Sequence, residues 1–426
     1  MRLTLAAAVL LPAPACRTQP VPEPAPDTRP VAIPSTSEDL PPPSWRVVAR
    51  REGQVLLAAE RVLMRGVPRR DDDRRRAATV GPAREYPTLI FENGRLRDGP
   101  VARADFRALA GRAGQDTLRL YSLRFRGRPV FFAQTGEGPT PHESPTESGL
   151  YVVEHGDRLW LLADSGVTRL TADTVRGVAR DTLRSQTREG GPYLFWATHP
   201  VWSPDGSTVA YVTNRTWMLA RPSGQEVWLA EVRARRERPV LSERGEFFSP
   251  EGWLGAELVY KAREGGIIAV DVETGRRRTI AAAPPRAARS LGGVAVAFST
   301  RRPRLLYMTS VGDAVRAHVL TERGTVDVPS PPAGERLDYA GRFSPSGDRL
   351  VLGTSFARDS GITRALYVFD LGARRLTRLA QWSFREGSRH PLGLPAWLDD
   401  LTLLLTRFDR GTGLESSALV RLPRPR

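Results

Sequence analysis

The chain has five histidines, the residue type best able to act as an acid, a base or a metal ligand near neutral pH. They are His142, His155, His199, His318 and His390. None lies in an H-x-H or H-E-x-x-H spacing, so no zinc motif is recognisable. His199 precedes Pro200 and His390 precedes Pro391, each a few residues before an aromatic residue that opens a recurring segment. We therefore take His199 and His390 as candidate residues at the mouth of a channel, with two ordinary loop histidines as the alternative.

Nucleophilic catalysis finds little support in the sequence. A G-x-S-x-G elbow is absent, which disfavours a peptidase that adds an α/β-hydrolase domain. Acids recur in or near the repeated turns, and such acids either ring a channel and bind a cation or only hydrogen-bond their own turn. These acids are Asp205, Glu251, Asp313, Asp348 and Asp399. We predict no catalytic, cofactor-binding or metal-binding residue.

The candidate residues are placed by a repeated segment. An aromatic residue, Ser-Pro-Asp-Gly or a relative of it, and a short apolar run recur from Trp202 onward. The aromatic residues that open the copies are Trp202, Phe248, Phe298, Phe343 and Trp397. A period of roughly 40–50 residues indicates an array of supersecondary units. We expect the aromatic stripe to pack between neighbouring units.

Each unit is predicted to be β structure. Ser-Pro-Asp-Gly forms a tight turn, because Pro fixes φ and Gly accepts positive φ. The apolar runs are rich in Val, Leu and Tyr and are short, which favours strands. A second apolar run, a Gly turn and another strand follow in each period, as in Ile268 to Gly275. Two hairpins per period make a four-stranded antiparallel blade, and blades in a ring make a β-propeller.

The repeat resembles the WD40-like repeat of the six-bladed propeller in the TolB family. Val201 to Arg215 and Arg342 to Thr354 are the closest copies, and the resemblance covers about Thr117 to Arg426. It implies an all-β fold and leaves the function open, because similar blades occur in peptidases, lactonases and binding proteins. We predict six blades that begin near residues 117, 201, 247, 297, 342 and 396, with seven blades if Gln54 to Leu96 forms its own unit.

The stretch before the repeats is harder to interpret. We predict that residues 45–116 hold a closing strand and an irregular insertion, and that 117–426 form the propeller. The closing strand is Trp45 to Ala49 or Gln54 to Ala58, and Ala102 to Gly111 is predicted as a short helix. The TolB family has a small α/β domain ahead of its propeller, and this stretch is too short to match it.

The N-terminus is typical of an exported protein. Met1-Arg2 and the apolar run Leu3 to Leu11 form a signal peptide over residues 1–15, and Ala13-Pro14-Ala15 precedes Cys16, the only cysteine. This resembles a bacterial lipoprotein signal and implies lipidation of Cys16 and a membrane anchor. Ordinary cleavage and release remain the alternative. Residues 16–44 are rich in proline and are predicted to form a disordered tether.

Composition sets further limits. The formal charge of +16 comes with Lys261 as the only lysine among 63 basic residues, and the arginines are interleaved with acids. Because no nucleic-acid motif accompanies this charge, we predict no nucleic-acid partner. No apolar stretch approaches 20 residues, the length that a membrane-spanning helix needs.

Two functions from different classes remain open. The first is a non-catalytic binding or scaffold protein of the cell envelope, periplasmic or anchored, with a protein or glycan as its ligand. We expect it to be a monomer without a cofactor. The alternative is a metal-assisted hydrolase or lactonase with its site in the channel, which requires several acids or histidines to converge there. A direct counterpart of TolB, with a peptidoglycan-associated partner, is a third possibility.

Overall fold

A computed structural model of the chain shows an all-β protein. It describes residues 36–39, 45–59, 85–109, 117–133, 140–172, 174–175, 178–179, 196–216, 224–243, 246, 248–262, 265–282, 294–311, 314–358, 361–384, 389–391, 395–409 and 414–423. These residues form 35 strands and no helix. No α-helix long and apolar enough to cross a membrane occurs among them. The predicted signal peptide, Cys16 and nearly all of the tether lie outside the described residues.

The strands form the eight antiparallel blades of a propeller. The first four blades comprise most of the strands up to residue 241. Blade 1 contains β2 (Trp45–Arg51), β3 (Gln54–Ala59), β5 (Thr88–Glu92) and β6 (Arg95–Asp98). Blade 2 contains β4 (Glu85–Tyr86), β7 (Ala102–Ala108), β8 (Thr117–Phe125) and β9 (Arg128–Phe132). Blade 3 contains β10 (His142–Glu143), β11 (Tyr151–His155), β12 (Arg158–Ala163) and β13 (Gly166–Arg169). Blade 4 contains β16 (Ala197–Trp202), β17 (Thr208–Thr213), β18 (Glu226–Glu231) and β19 (Arg236–Leu241).

The other four blades complete the ring. Blade 5 contains β20 (Ser249–Leu254), β21 (Glu257–Lys261), β22 (Ile267–Asp271) and β23 (Arg277–Ala281). Blade 6 contains β24 (Val294–Phe298), β25 (Leu305–Val311), β26 (Ala314–Thr321) and β27 (Gly324–Asp327). Blade 7 contains β28 (Arg336–Phe343), β29 (Arg349–Arg358), β30 (Gly361–Asp370) and β31 (Arg375–Phe384). Blade 8 contains β32 (Arg389–Pro391), β33 (Ala396–Trp397), β34 (Thr402–Asp409), β35 (Leu414–Arg421) and β1 (Thr36–Asp39). A separate hairpin joins β14 (Thr174–Val175) to β15 (Val178–Ala179).

The two ends of the described chain close the ring together. β1 pairs with β35, the last strand, and becomes the outermost strand of blade 8. Trp45, which follows shortly after β1, donates its backbone N–H to Ser417 Oγ at 2.8 Å. The N-terminal strand of the described chain therefore completes blade 8 and covers half of β35, which would otherwise be able to pair with another chain.

Blade 2 is built in the opposite sense from its neighbours. Its strand order is β4, β7, β8, β9, and β9 is the strand that contacts the innermost strand β2 of blade 1. Arg51 at the end of β2 donates to the carbonyls of Phe125 at 2.8 Å, Arg128 at 3.0 Å and Pro129 at 2.9 Å, which belong to the β8–β9 hairpin. The last strand of blade 2 therefore faces the channel, and β4 lies at the outer edge.

Aromatic residues at the ends of innermost strands join neighbouring blades. The indole N–H of Trp202 donates to the carbonyl of His142 at 2.8 Å, and that of Trp253 donates to Val201 at 3.4 Å. The indole N–H of Trp397 donates to Arg342 at 3.0 Å. In each case the acceptor lies on the innermost strand of the preceding blade, so the predicted packing between units is confirmed for Trp202 and Trp397.

Several sequence predictions need correction. Eight blades are present, not six or seven, because residues 45–133 form blades 1 and 2 rather than a closing strand and an insertion. The closing strand is Thr36–Asp39, since Trp45–Arg51 and Gln54–Ala59 form a hairpin of blade 1. Residues Ala102–Ala108 form a strand instead of a helix. The all-β class and the four-stranded antiparallel blades are confirmed.

One repeat was also misaligned. Phe248 to Gly252 is not a turn motif, because Ser249–Leu254 is the innermost strand β20 and Trp253 is the aromatic residue that joins the blades. A Cβ on Gly252 would lie 2.5 Å from the Phe298 ring, so only glycine leaves room for the aromatic residue of blade 6. Phe248 is buried beside Tyr260.

Candidate functional site

A pocket of about 400 Å³ lies between the innermost strands of blades 3, 4 and 5, on the wall of the channel. Its lining mixes imidazole, carboxylate and hydroxyl groups with apolar carbons. The lining residues are Thr140, His142, Glu154, His199, Pro200, Val201 and Pro250. Small-ligand sites are commonly concave and largely apolar, with a few polar groups that fix orientation. This pocket has both features.

A bulge in strand β16 places His199 in the pocket. The pairing of β16 with β17 shifts register between Thr198 and Val201, so His199 and Pro200 stand outside the regular ladder. His199 has φ of 54°, a left-handed conformation that few residues other than glycine adopt. β-Bulges and strained residues concentrate near functional sites, where they redirect a side chain.

The same device places Glu251. Strand β20 shifts register between Pro250 and Gly252, so Glu251 is the bulged residue of blade 5. The charge of His199 lowers the pKa of Glu251, against the larger effect of burial. Two neighbouring blades therefore carry an ionisable residue at equivalent irregularities of their innermost strands.

His199 is held by contacts to its own strand and to blade 3. Its backbone N–H donates to Glu154 Oε2 at 3.0 Å, and its ring Nδ1 is 2.8 Å from the Thr198 hydroxyl. Glu154 thus uses one oxygen to fix the bulge. Its other oxygen is available to a ligand, because no hydrogen bond to that oxygen is seen within the described residues.

Burial shifts the pKa of His142, which lines the pocket, and that of Glu251, on the neighbouring bulge, toward the neutral form of each group. It lowers the pKa of His142, and the Glu154 carboxylate opposes this shift. It raises the pKa of Glu251, and the charges of Lys261 and His199 oppose that shift. A neutral imidazole both donates and accepts hydrogen bonds, and a carboxyl group does the same when protonated. The pocket is therefore suited to hydrogen-bonding a polar ligand.

The two histidines singled out from the sequence are not brought together. His199 lies on the innermost strand of blade 4 and lines the pocket. His390 lies on β32, at the innermost position of blade 8. Blades 4 and 8 are half a ring apart among eight, so these strands face each other across the channel. His142, which carried no sequence signal of its own, is the histidine that joins His199.

The remaining histidines lie elsewhere. His318 belongs to a network across the strands of blade 6: its Nε2 is 3.0 Å from Thr309 Oγ1 and its Nδ1 is 2.7 Å from Asp327 Oδ1. The ring of Tyr307 stacks on it at 4.9 Å. His155 lies at the end of β11, where its carbonyl accepts the Trp160 indole N–H at 3.1 Å.

Two of the five repeated acids, Asp205 and Asp399, hydrogen-bond their own turns. Asp205 accepts from Ser203 Oγ at 2.5 Å and from the Ser207 N–H at 3.1 Å, and the first of these bonds lowers its pKa. Asp399 accepts the Leu401 N–H at 2.8 Å. Asp313 lies outside the described residues. Within the part of the chain that the structure describes, no three His, Cys, Asp or Glu residues converge as a metal-binding group.

His142 and Glu154 carried no direct signal in the sequence. His142 lies on a two-residue strand without the repeat motif, and Glu154 lies on the second strand of blade 3. Only the contacts between blades 3 and 4 bring them to His199. The one available signal was the Trp202 repeat, which identifies the neighbouring blade.

The solved structures that are similar to this chain come from proteins of several kinds. No protein-family model and no curated protein matches the chain. An oligogalacturonate lyase solved with manganese is similar in structure at a TM-score of 0.49 and 12% identity, over 87% of this chain and 86% of that one. The oligogalacturonate lyase of Vibrio parahaemolyticus gives 0.47 and 9%, over 92% and 99%. A TolB-like protein of Agrobacterium tumefaciens gives 0.36 and 14%, over 67% and 90%. Similarities of this size carry no information on activity.

Proposed function

We propose that this chain is an exported, non-catalytic binding protein of the cell envelope, whose propeller recognises a protein or glycan ligand through the channel pocket. The observation that supports this most directly is the convergence of His142, Glu154 and His199 on one cavity. Their arrangement offers hydrogen bonds from three directions without a described group of metal ligands. The fold contributes a rigid frame in which separate blades hold each residue.

The metal-assisted hydrolase receives less support. It needs three or four ligands around one ion, with an open position for water. The described residues hold no such group, and Glu154 already uses one oxygen to fix the His199 bulge. We therefore place recognition ahead of catalysis as the function of this pocket.

Replacing His142 by alanine is expected to weaken ligand capture about tenfold, which corresponds to about 1.4 kcal/mol. The imidazole lines the pocket, and its loss removes a donor and an acceptor without disturbing the bond from Trp202 to the His142 carbonyl. The measurement is capture of envelope proteins and glycans on immobilised protein, with quantification of each captured species.

The matched control is Glu257→Gln on blade 5, where Glu257 pairs with Arg278 and does not line the pocket. This control should capture as much as the natural chain. Equal capture by His142→Ala and the control would contradict the pocket as the binding site.

Cys16→Ser is expected to move the protein from the membrane fraction to the soluble envelope fraction. The proposed anchor is an acyl chain on this cysteine, and serine cannot be lipidated by the same route. Fractionation with labelled fatty acid measures the anchor directly. Label in the natural chain and none in Cys16→Ser would support it, whereas unlabelled natural protein in the soluble fraction would favour ordinary signal cleavage.

A further inference from the structure

An arginine lies on the innermost strand of the blade opposite the pocket. Arg342 lies on the innermost strand of blade 7, and His142 lies on that of blade 3, half a ring away among eight blades. The two residues are also at the same level. The carbonyl of each accepts the indole N–H from the next blade, Trp202 for His142 and Trp397 for Arg342. A ligand that fills the pocket therefore has Arg342 across the channel from it.

Arg342 is a cation without a compensating carboxylate within the described residues. Its side chain is exposed to solvent, yet burial lowers its pKa and no nearby carboxylate opposes the shift. Exposure together with a lowered pKa is typical of a side chain that protein partly surrounds and that water still reaches. Desolvation of a cation is unfavourable unless an anion compensates it.

Arg50 adds a second cation on the same wall. It lies on the innermost strand of blade 1 and donates to the carbonyls of Trp397 and Leu398, the latter at 3.0 Å. Burial lowers its pKa, the Asp399 carboxylate opposes this, and the charge of Arg342 lowers it further. Both terminal nitrogens of Arg50 are thus engaged by blade 8, while its charge adds to the field at Arg342.

Other arginines of the chain are paired with acids. Arg302 and Arg304 both contact Asp348, at 2.9 and 3.0 Å. Arg215 and Glu237 form a buried pair in blade 4. Arg342 has no such pair among the described residues, and it lies on the innermost strand of the blade opposite the pocket.

We propose that Arg342, supported by Arg50, binds a carboxylate of the channel ligand while the rest of that ligand reaches the His142 pocket. This inference rests on the proposed function, because it names the chemical class of the ligand. A guanidinium fork matches the two oxygens of a carboxylate. A phosphate fits less well, since Arg50 already gives its terminal nitrogens to carbonyls and one fork leaves phosphate oxygens without donors. An acidic sugar and the C-terminus of a peptide share this chemistry.

Titration calorimetry with two matched pairs of probes tests the proposal. The sugar pair is N-acetylmuramic acid and the neutral N-acetylglucosamine, and the peptide pair is acetyl-Ala-Ala and its C-terminal amide. At least one acid is expected to bind the natural chain ten times more tightly than its neutral counterpart. Arg342→Gln should remove that preference, and Arg342→Lys should restore only part of it, since lysine keeps the charge and lacks the fork. Arg304→Gln, at an arginine that is paired with Asp348, should leave the preference unchanged.

Equal binding of acid and neutral probes, a preference that survives Arg342→Gln, or no binding of any probe would overturn the carboxylate site. The melting temperature of each variant checks that it is folded. These failures are separable from failure of the proposed function. If capture of the envelope ligand still depends on His142, the pocket stands and only the carboxylate is wrong. If capture is independent of His142, both fail.

Discussion

Glu237→Ala is expected to lower the free energy of unfolding by about 3–5 kcal/mol, the cost of breaking a buried ion pair from one side. Glu237 lies on the outermost strand of blade 4 and accepts from both terminal nitrogens of Arg215, each at 3.0 Å. It also accepts from Tyr211 Oη at 2.5 Å and from the Ala172 N–H at 2.9 Å. The side chains of Arg215 and Glu237 are only 8% and 9% exposed, so water replaces the lost carboxylate poorly.

Urea unfolding of Glu237→Ala, with Glu231→Ala as its control, measures this effect. Glu231 pairs with Arg236 at 2.9 Å in the same blade, but the two side chains are 30% and 75% exposed. An exposed pair contributes about 0–1 kcal/mol, so the control should change little. Similar losses in the two variants would show that the buried network does not stabilise blade 4.

The same trio of residue types recurs in other blades. In blade 7, Glu335 accepts from Tyr367 Oη at 2.7 Å and pairs with Arg378. At the junction of blades 1 and 3, Arg51 pairs with Glu143 and lies 3.4 Å from Tyr151 Oη. In blade 4, burial and the Glu237 carboxylate raise the pKa of Tyr211, while Arg215 opposes them. A tyrosine hydroxyl, a carboxylate and an arginine therefore satisfy one another's hydrogen-bonding groups inside several blades.

The propeller was predictable because its blades repeat a local signal. Val201 to Arg215 contains a strand, a turn and a strand in one continuous stretch, and the turn depends on residues a few positions apart. Blades 1 and 2 escaped prediction because their hairpins use other turns. Glu52-Gly53 and Asn93-Gly94 both have positive φ, as type I′ turns require. These turns carry no Ser-Pro-Asp-Gly motif, so the period alone could not reveal the blades.

The site was less predictable because its residues meet only after the ring forms. His199 could be assigned to an innermost strand from its place before Trp202. The pairing with Glu154 depends on a contact between blades, and the alignment of His142 with Arg342 depends on the number of blades. With six blades, these residues would not lie opposite each other. An error in the blade count therefore becomes an error in the site.

Removal of residues 1–39 is expected to destabilise the propeller by about 2–4 kcal/mol and to cause association. The deletion removes β1, whose four residues pair with β35 from Thr36↔Arg421 to Asp39↔Ala418. Each backbone hydrogen bond contributes about 0.5–1.5 kcal/mol. β1 covers four of the eight residues of β35, so its removal leaves the whole strand as a longer open edge, and long edges pair with other chains.

Thermal unfolding and size-exclusion chromatography measure the two effects, with removal of residues 1–34 as the control. The control loses the predicted signal peptide and most of the predicted tether but keeps β1, so it should be as stable as the full chain and associate no more than that chain does. Equal behaviour of the two deletions would show that β1 does not close the ring. Ring closure also affects the channel, because Arg50 of blade 1 donates hydrogen bonds to the carbonyls of Leu398 and Trp397 in blade 8. Loss of β1 should therefore disturb the positions of Arg50 and Arg342 before it affects the pocket between blades 3, 4 and 5.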